Sequence, residues 1–310
     1  MIALATCARL PGLDADDRLL LEALERRGLR ARPAVWSDPH EDWAAAEAVV
    51  VRSTWDYEQQ RAAFLAWAAR VEGLTRLWNP AAVLGWNTHK GYLLRMAADG
   101  LPVVPTRLVR PEDEPLLQAA LDDWPDAVVK PAVGAGARGA AHVGRDGREA
   151  VRARGRALLA AGEDLLVQPY RAEVERQGEL SLIWFQGAFS HAVAKRPAPG
   201  EWRIQEAWGG TRQAVEPPPG TLELATRFLA WAEGPALSAR AEGPALSDWT
   251  AQVTPGAAPL LYARVDLLPG PAGWELGELE LTEPSLYLRE GGPPAAERLA
   301  SAIATRLRAG

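Results

Sequence analysis

Lys130 stands at the end of a predicted strand and directly before a glycine-rich loop. The strand is predicted because Val128 and Val129 are β-branched, and it ends where Pro131 cannot donate the next hydrogen bond of a sheet. Three glycines lie in the loop: Gly134, Gly136 and Gly139. Backbone N–H groups in such a loop can surround a phosphate, and a lysine beside them adds positive charge. The segment therefore indicates a phosphate site, and it leaves open a surface hairpin with a solvated lysine.

The glycine spacing also matches the dinucleotide-binding fingerprint G-x-G-x-x-G. That loop must open into a helix, whereas residues 140–147 predict a short strand that runs into a turn. A Walker loop needs lysine followed by serine or threonine after its last glycine, and alanine stands at both positions here. The context therefore favours a strand–glycine loop–strand hairpin with its lysine in front.

Two predicted strands near the C-terminal end carry acidic side chains. Glu278 and Glu280 fall on one face because side chains alternate along a strand, and Asp266 on the neighbouring strand adds a third carboxylate. Adjacent carboxylates repel unless a cation lies between them, and Mg²⁺ binds a few carboxylates together with substrate phosphates. The pattern indicates a magnesium site, and the alternative is a solvated acidic face that Arg264 partly neutralises.

Two further lysines are placed to meet a ligand. Lys90 begins a predicted helix, where a positive charge opposes the helix dipole, and Lys195 ends its strand as Lys130 does. The glycine-punctuated loop after Lys195 is typical of a lid. Its candidate residues are Arg203, Gly209 and Gly210.

A predicted buried strand at residues 48–51 leads directly into polar residues. In an open α/β sheet, ligands bind beyond the carboxyl ends of the strands. Arg52, Thr54 and Asp56 are therefore candidate substrate contacts. An ordinary strand-to-helix turn, capped by Ser53 or Asp56, explains the same residues.

Bulk composition excludes several classes of protein. The net charge of −6 in 310 residues gives no basic surface for nucleic acid, and no apolar run is long enough to span a membrane. The single cysteine fits a reducing compartment, so a cytoplasmic location is expected. The segment Ala-Glu-Gly-Pro-Ala-Leu-Ser occurs at residues 232–238 and again at 241–247, which we interpret as a surface-loop duplication without functional meaning.

The elements that must position these residues follow from periodicity and capping signals. Strands are predicted at residues 2–5, 31–36, 48–51, 107–109, 128–130, 165–168, 180–185, 188–195, 260–268 and 274–283. Helices are predicted at residues 14–27, 90–99, 112–122, 149–161, 222–232 and 295–308. This alternation predicts a mixed α/β protein that opens with an α/β sheet unit.

Four blocks, in this order, resemble the ATP-grasp superfamily and most closely its glutathione-synthetase-like branch. They lie at residues 79–90, 127–143 and 167–179, and at Asp266 with residues 278–284. The chain is also similar to ATP-grasp cyclo-ligases of cycloserine biosynthesis, which close a ring on a ureido-serine. One departure is that the branch usually has asparagine at the position of Glu280 and a small residue at that of Glu283.

The resemblance implies an α/β fold of the grasp type, with ATP between two antiparallel sheets. It implies an N-terminal substrate-side domain at residues 1–85, a central lobe at 86–166 and a C-terminal lobe with the metal site at 167–310. Lys90, Lys130 and the glycine loop would hold phosphates, and Asp266, Glu278 and Glu280 would hold Mg²⁺, with Mn²⁺ as the alternative ion. The nucleoside contacts would be Gln168, Tyr170, Arg171 and Glu179, and the residues around the transferred phosphate would be Lys195, Arg203 and Arg264.

The predicted activity is an ATP- and Mg²⁺-dependent ligase that joins a carboxylate to an amine-type nitrogen, between two molecules or within one. An acyl phosphate would form, and ADP and phosphate would be released. Small-molecule acid and amine substrates are expected, with neither nucleic acid nor membrane as a partner, and a homodimer is left open. The alternatives are a nucleotide-binding protein without turnover and a small-molecule kinase.

Overall fold

The computed structural model describes residues 1–234 and 260–309. The strands are β1 (Ile2–Thr6), β2 (Ala31–Val35), β3 (Ala48–Val51), β4 (Arg76–Trp78), β5 (Arg107–Val109), β6 (Ala127–Pro131), β7 (Ala141–His142), β8 (Leu165–Pro169), β9 (Glu179–Phe185), β10 (Ala188–Arg196), β11 (Thr211–Val215), β12 (Tyr262–Gly270) and β13 (Gly273–Glu280). The helices are α1 (Ala15–Arg26), α2 (Arg61–Glu72), α3 (Ala81–Asn87), α4 (Tyr92–Ala98), α5 (Pro115–Asp123), α6 (Val143–Asp146), α7 (Arg148–Ala160), α8 (Val174–Gln177), α9 (Thr221–Glu233) and α10 (Pro293–Ala309).

The N-terminal unit is a parallel sheet of four strands in the order β2-β1-β3-β4. β1 and β3 are wholly buried, as parallel strands covered on both faces should be. Helix α1 begins where the Asp14 side chain accepts the Asp17 backbone N–H at 2.8 Å, and it buries Leu20 and Leu24. The carboxyl ends of these strands meet at one edge, so residues after β1 and β3 reach the same region.

The second sheet is antiparallel and carries the glycine loop. Its four strands run in the order β5-β8-β6-β7, and α5 and α7 cover one face. β6 pairs with β7, so residues 132–140 form the connection of a hairpin. The predicted strand–glycine loop–strand hairpin is therefore confirmed.

The third sheet is a five-stranded antiparallel sheet in the order β11-β10-β9-β12-β13. One of its faces is apolar at one end of the strands and charged at the other. Ile183, Phe185 and Tyr262 form the apolar end of that face and join the cluster that includes α1 and α10. At the other end, Asp266 pairs in register with Ser181 and Glu278, and Lys195 pairs with Glu179. The apolar end anchors the sheet, and the charged end is left to face a ligand.

Most predicted elements are confirmed within a few residues, with instructive exceptions. Helix α4 begins at Tyr92, so Lys90 precedes the helix that it was predicted to open. β4, α2 and β11 were not predicted because their sequences lack a clear period. β4 has only three residues, β11 is largely exposed, and α2 has apolar residues on several sides. Most of the duplicated segment lies outside the described residues. Among the helices in the described part of the chain, none has the length and apolarity that a membrane crossing requires.

Candidate active site

A cavity of about 790 Å³ lies where the three sheets converge. Its wall includes most of the residues predicted to form the site. These are Lys90, Lys130, Gly134, Gly136, Gln168, Tyr170, Arg171, Glu179, Lys195, Arg203, Arg264, Asp266, Glu278 and Glu280. Residues far apart in sequence are thus brought to one place.

Lys90 is fixed between the glycine loop and β13. Its ammonium donates to the Gly134 carbonyl at 2.6 Å and lies 3.0 Å from the Glu278 carboxylate. Asn87 and Tyr92, on either side of it in sequence, both hydrogen-bond to the Leu279 backbone. Burial alone would lower the pKa of Lys90, but the nearby carboxylates outweigh it and raise the pKa. The lysine is therefore held charged.

Lys130 differs from Lys90 in lacking a close anionic partner. Within residues 1–234 and 260–309, its ammonium has neither a hydrogen bond nor an ion pair, although it lines the cavity. Burial lowers the pKa of Lys130, and the Lys90 ammonium lowers it further, which Glu278 offsets only in part. A positive charge in this setting gains most from an incoming anion.

Arg264 lies at the centre of the acidic cluster on β12 and β13. Its guanidinium donates to both oxygens of Asp266, at 2.9 to 3.1 Å, and to Glu280, and it also reaches the Ser285 carbonyl. Asp266 is 3% exposed and also accepts from Ser181 at 2.5 Å. Burial would raise the pKa of Asp266, but Arg264 and Lys195 together lower it to about 2.

Glu280 and Glu283 add two further carboxyl groups to this cluster. Burial and repulsion from the other carboxylates together outweigh the attraction of Arg264 and raise the pKa of Glu280 to about 8. Burial also raises the pKa of Glu283, to about 7. Both side chains line the cavity. Such crowded carboxylates favour an added cation.

The donor set fits Mg²⁺, because it consists of carboxylate oxygens. Among the described residues, however, no three acidic, histidine or cysteine side chains are gathered closely enough to hold a metal by themselves. Asp266 and Glu280 turn instead toward Arg264, since a guanidinium relieves their repulsion. Mg²⁺ commonly takes only one or two protein carboxylates and completes its shell with phosphate oxygens and water. The assignment of Asp266, Glu278 and Glu280 to metal stays a prediction.

The predicted nucleoside contacts lie at one end of the cavity. Gln168 donates to Thr106 at 2.8 Å, and the Arg171 guanidinium pairs with Glu275 at 2.6 Å. The Tyr170 ring lies 4.0 Å from the His142 ring. Glu179 pairs with Lys195, and burial raises the Glu179 pKa. The Arg171 side chain is thus occupied, and the contact of its backbone with a base stays a prediction.

The loop after β10 folds around Arg203. Its guanidinium pairs with Glu201 at 2.7 Å and lies 3.3 Å from the centre of the Trp208 ring. Gly210 approaches the backbone so closely that a Cβ there would lie 2.1 Å from the Ile204 carbonyl oxygen, and Gly209 has φ +80°. Neither glycine lines the cavity, and their contact with the substrate stays a prediction. Gly139 likewise serves the turn, since its φ is +77° and Pro131 leaves no room for a side chain.

The residues proposed after β3 need a correction. Arg52 is 1% exposed, pairs with Asp17 at 2.8 Å and donates to the Pro284 carbonyl, so it joins two parts of the fold. Thr54 is buried, and Asp56 accepts from the Trp36 indole at 2.6 Å. None of the three lines the cavity.

Their neighbours Trp55, Tyr57 and Glu58 do line it, together with Arg9, Arg212, Tyr287 and Arg289. The turn at residues 57–59 determines which side chains face the cavity, and the residue types alone do not predict that orientation. The one feature of the sequence that indicated this orientation is the pair of aromatic residues at alternate positions, Trp55 and Tyr57.

The chain is similar to known proteins over its whole length. A family model described as D-cycloserine synthetase DcsG, N-terminal domain, matches residues 2–79. The cycloserine biosynthesis protein DcsG of Streptomyces lavendulae is 35% identical over 318 residues, which cover 99% of each chain. The crystal structure of D-cycloserine synthetase DcsG superposes with a TM-score of 0.81 at 33% identity, over 99% of each chain. A RimK-domain ATP-grasp protein from Sphaerobacter thermophilus superposes with a TM-score of 0.66 at 18% identity, over 97% of this chain and 98% of that one. The similarity therefore includes all three sheets and the cavity between them.

Proposed function

This chain belongs to the family of the cycloserine biosynthesis protein DcsG, and from that membership we propose that it closes a ring by forming a carbon–nitrogen bond within one substrate molecule. The membership confirms the predicted ATP-grasp fold and the predicted class of reaction, an ATP-dependent carboxylate–amine ligation. The proposal extends this class to an amino acid of the ureido-serine type, whose cyclised product would keep the carbamoyl group on the ring nitrogen.

In the proposed reaction, a carboxylate oxygen of the substrate attacks the γ-phosphorus of ATP. The bond to ADP breaks and an acyl phosphate forms. A nitrogen of the same molecule then attacks the acyl carbon, loses its proton and expels inorganic phosphate. Such chemistry asks the protein mainly for positioning and for neutralisation of charge.

The observation that carries the proposal is the Lys130 ammonium, which lies beside the glycine loop without an anionic partner in the described part of the chain. A cation in that position is suited to the β- or γ-phosphate of ATP. Lys90, already fixed to the loop and to β13, supplies the second positive charge on the same side.

Arg264 and Lys195 would neutralise charge at the reacting end. Both line the cavity from the third sheet, and each is held by the Asp266 carboxylate, at 2.9 Å and 3.4 Å. Donors fixed before the reaction need no reorganisation as the negative charge moves from carboxylate to phosphate. Asp266 and Glu280 would hold Mg²⁺, which would supply positive charge to offset that of the phosphates.

The nucleotide would lie along β8 and β9. Gln168 and the backbone at Tyr170 and Arg171 would contact adenine, and Glu179 would accept from the ribose hydroxyls. Arg203 would cover the phosphates from the loop after β10, with Trp202 at its side. We carry over the domain limits 1–85, 86–166 and 167–310 as part of this proposal.

The acid substrate would occupy the part of the cavity next to the N-terminal sheet. Arg9, Trp55 and Arg289 line that part, and the Arg9 guanidinium donates to the Trp55 carbonyl at 3.3 Å. A cation and an aromatic ring on the wall of the cavity that Arg264 also lines suit a small polar amino acid. Arg9 and Trp55 come from the unit that matches the DcsG N-terminal domain, and Arg289 comes from the C-terminal part of the chain.

The reaction type is tested by its products. With ATP, Mg²⁺ and a ureido-serine substrate, we expect ADP, inorganic phosphate and the cyclised product in a ratio of one to one to one. Hydroxylamine should trap the acyl phosphate as a hydroxamate. Release of AMP and pyrophosphate would contradict the proposal, and so would a stable phosphorylated product without phosphate release, which a kinase would give.

Lys130→Ala should weaken ATP binding by about 1.5–3 kcal/mol, the range for a hydrogen bond to a charged group, or roughly 10- to 150-fold in Kd. The physical reason is that the variant removes the cation left unpaired for the phosphates. Isothermal titration calorimetry of both proteins measures the difference. Arg107→Ala, in an exposed pair with Asp123, is the matched loss of positive charge away from the cavity and should leave Kd unchanged. Equal affinities of wild type and Lys130→Ala would remove Lys130 from the site.

A further inference from the structure

Glu58 reaches from the N-terminal unit to the glycine loop of the second sheet. One carboxylate oxygen accepts the Ala135 backbone N–H at 2.9 Å, and the other lies 2.6 Å from Nε of Arg138. The Glu58 side chain is 5% exposed, whereas that of Arg138 is 59% exposed. A carboxylate so well buried depends on these two contacts for its stability, because little water remains to solvate it.

The Glu58 and Lys90 contacts hold the same peptide group from its two sides. Lys90 donates to the Gly134 carbonyl, and Glu58 accepts from the Ala135 N–H, and these two atoms belong to one peptide unit. In a trans peptide the C=O and N–H point in opposite directions. The peptide plane is therefore pinned at a fixed angle, and the phosphates are left to the later N–H groups of the loop, where Gly136 and Ala137 have positive φ.

The support behind Glu58 is firm. Tyr57, its neighbour, is 3% exposed and packs with its ring 5.0 Å from that of Phe64. Three residues after Glu58, Arg61 donates to the Gly85 carbonyl at 2.7 Å and to the Thr88 hydroxyl at 2.8 Å. The carboxylate is thus presented to the loop by a segment that is itself tied to the chain just before Lys90.

We propose that Glu58 is a positioning residue that latches the glycine loop over the nucleotide phosphates and ties that closure to the substrate-side unit. The contacts form a continuous path from Glu58 through the Gly134–Ala135 peptide to Lys90 and then to Glu278. Trp55 and Tyr57, in the same segment as Glu58, line the cavity where the acid is proposed to bind. The inference rests on the proposed function for its catalytic consequence, although the latch itself can be tested without turnover.

The first test needs no nucleotide. Arg138 is followed by a glycine, so trypsin can cleave the loop there once the loop opens. We expect Glu58→Ala to speed cleavage after Arg138 by at least about tenfold, as for loss of hydrogen bonds to a charged group. Glu58→Gln keeps an acceptor for the Ala135 N–H but loses the charge, so its cleavage rate should lie between those of wild type and Glu58→Ala. Mass spectrometry identifies the cleavage site. Cleavage after Arg138 at the wild-type rate in both variants would overturn the latch.

The second test concerns ATP and the fate of the intermediate. Glu58→Ala should weaken ATP binding about tenfold. It should also raise the ratio of ADP released to product formed above one, because an open loop admits water to the acyl phosphate. A purely structural role would lower stability and leave that ratio unchanged. If Glu58→Ala folds poorly, Arg138→Ala, at an exposed position, is measured in its place for ATP affinity and for the ratio of ADP to product. Effects of the two variants should add only in part, since both remove the contact between Glu58 and Arg138.

Glu114→Ala is the matched control, because Glu114 pairs with an arginine, Arg156, on the surface away from the cavity. It should behave as wild type in both tests. Tighter ATP binding in Glu58→Ala would mean that Glu58 competes with phosphate, which overturns the latch. If cleavage after Arg138 accelerates as expected but the wild-type protein forms no product, the latch is supported and the proposed function fails.

Discussion

Asp266→Asn is expected to lower turnover by about 10²–10³-fold, the range seen when one preorganised charged or polar group is removed from a reacting centre. The carboxylate is buried, and its pKa of about 2 keeps it ionised at neutral pH. It holds Arg264 and Lys195 in place and is a proposed ligand of Mg²⁺. Asparagine preserves the volume and a partner for Ser181, so the loss is one of charge.

Metal removal gives the companion measurement. ADP release by EDTA-treated wild-type protein should fall to background and return with added Mg²⁺, and Mn²⁺ is tested as the alternative ion. Asp266→Asn should need more Mg²⁺ for half-maximal rate. Asp123→Asn, in the exposed pair with Arg107, is the control and should titrate as wild type does. Full activity without metal would mean that the acidic cluster serves only its ion pairs with Arg264, Lys195 and Lys90.

Local sequence patterns were sufficient for the hairpin around Lys130 and for the strands of the acidic cluster. Both depend on information that lies within a dozen residues, such as β-branching, a proline stop and period-two alternation. The register shift between Asp266 and Leu267 is not part of this pattern, but the alternation places Glu278 and Glu280 on one face. That is why most of the charged residues predicted for the site lie on the cavity wall.

The segment after β3 shows where such patterns stop being sufficient. Arg52, Thr54 and Asp56 have the residue types of a binding loop, yet packing turns them inward and exposes Trp55, Tyr57 and Glu58 to the cavity. The choice depends on Asp17 of α1 and on the Pro284 carbonyl, both distant in sequence from Arg52. Contacts between separate parts of the chain have no local signature, and the Glu58 contact with Ala135 is of the same kind.

The dual role of Arg264 makes its replacement the most informative single change. Its guanidinium serves the buried Asp266 carboxylate, the partly exposed Glu280 carboxylate and the Ser285 carbonyl, and a fork-shaped donor is needed to reach all three. Removing one partner of a buried ion pair usually costs about 3–5 kcal/mol of stability, since the remaining charge is stranded. Loss of activity in Arg264→Met alone would therefore not separate folding from catalysis.

A paired design separates the two effects. Arg264→Met should unfold at a lower denaturant concentration and turn over about 10²–10³-fold more slowly. Arg264→Met combined with Glu280→Gln removes one of the two carboxyl groups that Arg264 serves, so it should regain part of the stability while turnover stays low. Arg264→Lys keeps the positive charge but loses the several N–H donors of the guanidinium. It should therefore retain a larger share of the wild-type stability than of the wild-type activity. Denaturation curves and the rate of ADP release, measured on the same preparations, distinguish the outcomes. Recovery of turnover together with stability in the double variant would show that Arg264 only neutralises its neighbours. Recovery of stability alone, with turnover below that of Glu280→Gln by itself, would place its guanidinium against the charge that moves from carboxylate to phosphate.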